Sequence, residues 1–387
     1  MALQGAFTLN SNEIFGTIAN MIISQEVFAD NLGKHQTLVD KARVDGGLYG
    51  DKKLYYATDV LSTHAWGNDA EAGNLLSLDR PQDPEVQDIT LDVFRQIRLT
   101  VDNYLSKRAW ADEGAFSSFN SVMLGWMRET KRVYDGTHYN VFIGTTETSV
   151  GEQDVSVDLD AGTAEGEAPL DVEKREAMNI ARAMADLLVA MGDYSRDFND
   201  YGYLRSYAED AIKVVWNSKF VNKIRKIDLP TIFHKEGLVD KFEEDVMPAR
   251  YFGRTLTSAD AEEGGVIEGN VVPANNKTIR SKIEFQVEIA AADGRPARVE
   301  RHFPGDLIPA GYTVGGSSAQ FKYAECYVED ASVICKVLVK LPPYMSAFEV
   351  GTSFFNPRSL TENHYLTFGH NTLEYLKNYP FITVKAA

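Results

Sequence analysis

One long alternating segment constrains the fold more than any other feature of this sequence. From Ile89 to Val101, apolar side chains fall on odd positions and polar side chains on most even positions, with Phe94 and Arg95 interrupting the pattern. A period of two predicts an amphipathic β-strand. Thirteen residues at about 3.3 Å each would reach roughly 43 Å, well beyond a usual strand of about five or six residues.

A second run with strand character, Lys53–Leu61, comes before this segment. The residues between the two runs, 62–88, are rich in Gly, Asn, Asp and Pro. Together they predict a two-stranded arm with an irregular tip over residues 51–105. A two-stranded ribbon is marginally stable in water, so its apolar face needs cover from the same chain or from a neighbouring subunit. Cover by a neighbour would make the arm an assembly device.

Helical periodicity appears on both sides of this arm. Residues 1–50 predict an N-terminal arm whose helix packs either on its own domain or on a neighbouring subunit. Residues 112–136 predict a long helix that ends at Asp135-Gly136, and a short strand is expected over Tyr139–Ile143. A second amphipathic helix is predicted from Asp171 to Met191, with Gly192 as its stop.

The remaining sequence predicts a mixed, α+β class of fold. Ile212–Trp216 reads as a strand followed by a helix, and residues 253–323 read as a β-rich insertion with strands at Ile279–Ile289 and Ala297–Phe303. Two further runs, 320–328 and 332–341, are expected to pair as a hairpin. That pairing would place Cys326 opposite Cys335 as reduced neighbours in the core.

Charge and composition exclude several classes of protein. The chain of 387 residues carries 56 acidic and 39 basic residues, a net charge of -17. Sequence-specific DNA binding needs clustered Lys and Arg, so that class is disfavoured, whereas a container that encloses DNA without adsorbing it is compatible. Two cysteines exclude a disulfide scaffold and suit a reducing cytoplasm. No uncharged apolar run approaches the roughly 20 residues that span a bilayer, so we expect no membrane partner.

No enzyme signature is recognisable in the chain. The common nucleotide-binding, metalloprotease, serine-hydrolase and C-x-x-C motifs are absent, and His364 and His370 are a weak metal pair. Residues 151–173 hold eight carboxylates before Lys174. Asp158-x-Asp160 hints at calcium, but a third ligand and a correctly placed glycine are missing, which favours a solvated acidic loop. We therefore predict no catalytic residue, no metal ligand and no cofactor.

Three short stretches carry a resemblance to a known family. They are Val101–Lys107, Ser195–Asn199 and Phe355–Arg358. Together with the order of elements along the chain, they resemble the major capsid proteins of tailed bacteriophages, which have the Hong Kong 97-like fold. Among these, the small podoviruses of the salasmavirus type are the most similar.

The resemblance implies a division of the chain into the parts of that fold. These are an N-arm (1–50), an E-loop (51–105), a spine helix with the peripheral P-domain (106–192), the first part of the axial A-domain (193–252), a β-rich insertion (253–323) and C-terminal strands of the A- and P-domains (324–387). It further implies a non-enzymatic protein of the virion capsid that assembles in the host cytoplasm. Hexamers and pentamers would form an icosahedral shell around double-stranded DNA, with a scaffolding protein, a portal and non-specific DNA contact as partners.

The candidate subunit-interface residues are Trp66, Phe94, Arg95 and Arg98. The two arginines would meet carboxylates of the next subunit, with the acidic loop 152–173 as one candidate partner, or would simply be solvated. Two other functions stay open at this stage. One is an encapsulin-type compartment with the same fold, and the other is a hydrolase or a tail or adhesion protein.

Overall fold

The structure is a computed structural model. It describes residues 37–45, 52–63, 80–102, 113–148, 150–221, 243–257, 266–267, 270–271, 278–289, 298–308 and 323–387. The predicted N-terminal helix, Trp66 and the greater part of the Val101–Lys107 stretch lie outside these residues.

The helices and strands follow one another in a mixed order. The helices are α1 (Leu38–Ala42), α2 (Glu113–Thr145) and α3 (Pro169–Gly192), with a further helical turn at 218–221. The strands are β1 (Arg43–Asp45), β2 (Lys52–Ala57), β3 (Glu85–Asp102), β4 (Asp154–Val157), β5 (Lys213–Asn217), β6 (Glu243–Met247), β7 (Gly253–Thr255), β8 (Val266–Ile267), β9 (Asn270–Val271), β10 (Ile279–Ser281), β11 (Phe285–Ile289), β12 (Arg298–His302), β13 (Cys326–Glu329), β14 (Val333–Leu338), β15 (Tyr344–Asn356), β16 (Thr361–Asn371) and β17 (Phe381–Ala386).

The chain divides into two compact units. The first comprises Met1–Asp51, Thr90–Asn140 and Pro343–Leu373, and the second comprises Lys52–Ile89, Val141–Pro342 and Glu374–Ala387. The division falls within β3 and within α2, so both elements run from one unit into the other.

The predicted long strand is confirmed, but its pairing differs from the prediction. β3 has 18 residues, and from Gln87 to Val101 its odd positions are buried or half-buried while its even positions are exposed, except that Arg95 is exposed as well. The sheet order is β1-β15-β16-β3-β2. From Leu91 to Asp102, β3 pairs with β16, so the prediction of a purely two-stranded arm was wrong. Paired residues such as Gln96 and Thr367 are 271 positions apart, and local periodicity carries no signal for such a distant partner.

The long helix continues past its predicted end. α2 has 33 residues, and the expected strand at Tyr139–Ile143 is helical. Tyr139 and Ile143, four residues apart, are both fully buried, which is the spacing of one helix face. The five residues Tyr139–Ile143 carry apolar or amide side chains, so they fit the period of a helix as well as that of a strand. The glycine at 136 had indicated a helix stop. A glycine inside a helix costs only about 1 kcal/mol relative to alanine, so it does not by itself end the helix.

The second unit holds a five-stranded sheet with the order β4-β17-β14-β5-β6. The predicted helix α3 is confirmed, and Pro169 occupies its first turn, where a missing N–H is harmless. Its buried stripe packs on the sheet in the largest described core cluster, which contains Ile180, Met184, Leu187, Leu188 and Met191. The predicted strand at Ile212–Trp216 is confirmed as β5, and the Asn217 side chain accepts the Lys219 N–H at the following helical turn.

The described parts of residues 253–323 form strands β7–β12, but the long strand expected within this range and the hairpin expected after it were wrong. The expected strand Ile279–Ile289 is broken at 282–284 into β10 and β11, and β11 pairs with β12 as a hairpin. A separate three-stranded sheet has the order β10-β13-β7. β13 therefore does not pair with β14, whose partners are β5 and β17.

The cysteines are consequently not neighbours. Cys326 lies opposite Ser281, and Cys335 lies opposite Val384 and Trp216, in different sheets. The turn between the strands is held by Asp330, whose Oδ1 accepts the Ser332 N–H at 2.9 Å. Both thiols are free and buried, and burial raises the pKa of Cys326 to about 12 and that of Cys335 as well.

Candidate interface site

The three described candidate residues lie on β3 but do not form one cluster. Phe94 is 44% exposed, and its ring lies over Gly369, whose Cβ would come within 3.0 Å of it. Arg98 is exposed on the same face, and its Nε donates to Gln96 Oε1 at 2.8 Å. Arg95 is on the opposite face, with its guanidinium 5.6 Å from the centre of the Tyr134 ring. Trp66 lies outside the described residues.

Near Phe94, the exposed face of β3 and β16 carries hydrogen-bonded polar side chains. Gln96 Nε2 donates to Thr367 Oγ1 at 3.1 Å, and Thr100 Oγ1 donates to Asn363 Oδ1 at 2.7 Å. These cross-strand bonds join side chains of paired residues. Phe94 is therefore an apolar side chain set in a hydrogen-bonded polar surface.

The end of the β15–β16 ribbon is a second exposed apolar surface, which the sequence reasoning missed. Phe354 is 61% exposed and lies opposite Asn363, while Phe355 lies opposite Glu362 and is half exposed. Because neighbouring residues of a strand face opposite sides, both faces of this end carry an exposed aromatic ring. The signal in the sequence is the pair of phenylalanines before the Asn356-Pro357 turn. From the sequence alone, this stretch indicated only a resemblance to capsid proteins.

A buried charge network lies under the long sheet in the first unit. Asp135 is completely buried on α2, and its carboxylate contacts Lys131 Nζ at 3.2 Å and Arg43 Nη2 at 3.1 Å. Tyr344 donates its hydroxyl to the same carboxylate at 2.7 Å, and burial together with Asp135 raises the pKa of this tyrosine. The sequence reasoning treated Asp135 as a helix end, so this network was missed.

The acidic segment is organised by basic and amide side chains from α3. Arg175 Nε contacts Glu167 Oε2 at 3.1 Å, and its Nη1 donates to the Leu159 carbonyl at 2.5 Å. Asn179 donates to the same carbonyl and to that of Ala161. These bonds tie the acidic segment to α3.

His370 is also bonded within the protein. His370 is buried and contacts Tyr134 Oη at 3.1 Å, and burial lowers its pKa. In the part of the chain that the structure describes, no group of three or more His, Cys, Asp or Glu side chains could hold a metal ion. Among the helices of those same residues, none is long and apolar enough to cross a membrane.

Solved structures share this arrangement of elements. A chain of the capsid structure of Staphylococcus phage Andhra matches with a TM-score of 0.55 and 10% identity, over 91% of this chain and 84% of that one. The chain has a phage capsid fold. The structure described as head fiber and inner core protein gp22 of native bacteriophage P68 matches with a TM-score of 0.51 and 9% identity, over 91% and 87%. No protein-family model and no curated protein matches the sequence.

One buried cation of this capsid fold closes the end of its long helix. Lys336 of β14 is fully buried, and its Nζ donates to the carbonyl of Thr146, just past α2, at 2.8 Å. It also donates to Thr383 Oγ1 at 2.7 Å and lies 5.7 Å from the Phe381 ring centre. A cation at a helix C-terminus satisfies free carbonyls and opposes the negative end of the helix dipole. Burial lowers the pKa of Lys336 to about 7.

We expect this lysine to make stability depend on pH. The pKa of Lys336 in the folded protein, about 7, lies below its usual value of 10.5. Between these two pH values the unfolded chain binds the proton more tightly, so the free energy of unfolding rises with pH. Lys336→Met lacks this rise, so its stability relative to wild type is greatest near pH 7 and shrinks toward about pH 10. Urea unfolding of both proteins across this range measures the difference.

The charged and titratable groups near Lys336 are the same in the wild-type protein and in Lys336→Met. Lys336 is influenced by Glu147, Asp154, Lys385 and Cys335, all of which Lys336→Met retains. Their direct titration is therefore common to both proteins. A stability difference that stays constant across the range would contradict titration of Lys336 within it.

Proposed function

We propose that this chain is the major capsid protein of a tailed bacteriophage, with a Hong Kong 97-like fold. Copies of it assemble into hexamers and pentamers of an icosahedral shell that encloses packaged double-stranded DNA. The observation that carries this proposal is the match to the phage Andhra capsid structure across 91% of the chain. At 10% identity that match concerns the fold, and the step from fold to function is the proposal.

The proposal assigns roles to the elements. α2 is the spine helix, residues 51–105 are the E-loop, and strands β5 and β6 of the sheet packed by α3 belong to the first part of the A-domain. The N-arm, the P-domain and the insertion at 253–323 have the bounds given above. A scaffolding protein and a portal are partners, assembly takes place in the host cytoplasm, and the phage is a podovirus of the salasmavirus type.

The exposed residues of β3 are proposed contacts between subunits. Phe94 supplies apolar area, while Arg95 and Arg98 supply charges, and Trp66 adds an aromatic side chain of the E-loop. Buried aromatic and arginine side chains contribute most to typical protein interfaces. The net charge of -17 suits an inner surface along which packaged DNA slides, because non-specific adsorption to phosphates requires an excess of positive charge.

Assembly of the purified protein tests the proposal. We expect closed shells, or discrete hexamers and pentamers, in negative-stain images and light scattering when salt and crowding are varied, with a co-expressed scaffold where needed. Replacing residues 64–79 by a short Gly-Ser linker leaves β2 and β3 intact and should abolish these assemblies. The change removes E-loop contacts without touching the paired strands.

A matched control keeps the length of that segment. A linker of equal length distinguishes loss of specific side chains from loss of reach. A protein that stays monomeric or dimeric under every condition, with scaffold present, would contradict the capsid proposal. Shells that exclude DNA and enclose a partner enzyme would instead support the encapsulin-type alternative.

A further inference from the structure

The loop 195–205, which we name the cradle, is closed by its own hydrogen bonds. Ser195 and Arg205 exchange two backbone bonds, at 3.0 and 2.9 Å. Within the loop, Asn199 accepts the Tyr203 N–H at 2.8 Å and donates to the Tyr203 carbonyl at 2.6 Å. Gly202 has a φ of 64°, which favours glycine. The cradle is therefore ordered by bonds within itself and needs no ligand to hold its shape.

The cradle binds the first residues that follow β2. Asp59 Oδ1 accepts the Leu204 N–H at 2.9 Å, and its Oδ2 accepts from Arg196 Nη1 at 2.7 Å. The same guanidinium nitrogen donates to the Gly202 carbonyl at 2.7 Å. Arg196, followed by the Leu204 N–H, lowers the pKa of Asp59 to about 2, so this carboxylate is ionised at any ordinary pH.

A second contact holds the same segment from the other side. Arg205 Nη2 donates to the Thr58 carbonyl at 2.6 Å and to Asn378 Oδ1 at 3.1 Å. Its guanidinium lies 5.5 Å from the centre of the Tyr203 ring. Two consecutive residues, Thr58 and Asp59, are thus held through a main-chain carbonyl and a side-chain carboxylate.

These bonds differ in kind from an ordinary surface ion pair. Arg196 is 53% exposed, but the Asp59 side chain is only 15% exposed and also accepts the backbone N–H of Leu204, which an ordinary surface pair lacks. Lys52 and Asp88 also pair in the same unit, but both are nearly half exposed. Exposed pairs of that type contribute little, whereas charge-assisted bonds to backbone groups are strong.

We propose that Asp59 is a positioning residue. Its bonds act as a lock that fixes Thr58–Leu61, the segment that follows β2, on the cradle. The chain then leaves β2 in one direction, with Val60 and Leu61 exposed for contact with a second copy of this chain. This gives Arg196 and Asn199 of the Ser195–Asn199 stretch a structural role. The consequence for assembly rests on the proposed function, whereas the lock itself does not.

Hydrogen exchange of the full-length protein tests the lock. In Asp59→Asn the acceptor loses its charge, so we expect amides in peptides covering 58–63 and 195–205 to exchange at least about tenfold faster. Assembly into shells should fall in the same variant, while the midpoint of global thermal unfolding stays near that of wild type. Asp88→Asn is the matched control, and it should leave both exchange and assembly unchanged.

Two further variants keep the test decisive if Asp59→Asn does not fold. Arg196→Gln removes the cation and should reproduce the faster exchange, whereas Arg196→Lys keeps the charge and should restore part of the protection. Unchanged exchange in Arg196→Gln, or faster exchange with normal assembly, would overturn the proposal. Failure of the wild-type protein to assemble would instead count against the capsid function, and the exchange data would still decide whether Asp59 is held.

Discussion

Replacing Gly144 by alanine is expected to destabilise the protein by about 3 kcal/mol or more, or to prevent folding. Gly144 lies in the last turn of α2, and a Cβ there would overlap the carbonyl oxygen of Tyr251 far inside van der Waals distance. The obstacle is backbone rather than the end of a flexible side chain, so the helix or the turn at Ala249–Tyr251 has to move. Urea unfolding of the purified variant measures the effect.

The same substitution on the same helix supplies a control with the opposite sign. A Cβ on Gly125 would meet nothing within 4 Å. Gly125→Ala should therefore stabilise the protein by roughly 0.5–1 kcal/mol through the lower backbone entropy of the unfolded chain. Equal effects of the two substitutions would contradict a close approach between α2 and Tyr251.

Removing the carboxylate of Asp135 is the second change with a large expected effect. Asp135→Ala leaves the nearly buried Lys131 without its closest carboxylate and takes a partner from Arg43 and Tyr344. Breaking a buried ion pair from one side typically destabilises a protein by about 3–5 kcal/mol, because a buried charge is left uncompensated. Chemical denaturation followed by tryptophan fluorescence measures this loss.

Tyr344→Phe separates the charge from the hydrogen bond. It removes only the hydroxyl that donates to Asp135, so we expect a loss of about 1–2 kcal/mol. The double variant Asp135→Ala/Lys131→Met should regain stability relative to Asp135→Ala, since no lysine charge then remains buried there. If Asp135→Ala is no worse than Tyr344→Phe, the carboxylate does not stabilise the first unit through its charged partners.

Only part of the candidate site could be predicted from the sequence. Alternation placed Phe94, Arg95 and Arg98 on one long strand, and the strand is present. It did not indicate that Arg95 lies beside the Tyr134 ring or that Phe354 is exposed on the ribbon. Both depend on elements that meet from distant parts of the chain, and periodicity reports only which residues share a face.

The strongly periodic elements follow from the local sequence alone. β3 and α3 each show one period over many residues, and the structure contains both with nearly the expected bounds. Because burying one face requires that period, any fold of this chain had to keep it. The acidic balance is likewise a property of composition alone.

The pairing of strands and the burial of polar groups together depend on tertiary contacts. β13 and β14 both suit a hairpin, yet each pairs instead with strands that lie farther away in the sequence. Tyr139–Ile143 fits either period, and packing made it helix. Asp59 lies in a run with strand character and Asp135 at an expected helix end, and neither local pattern indicates that the cradle binds the first and Tyr344 the second. Long-range contacts set these outcomes, because a partner that is distant in the sequence leaves no local trace in the chain.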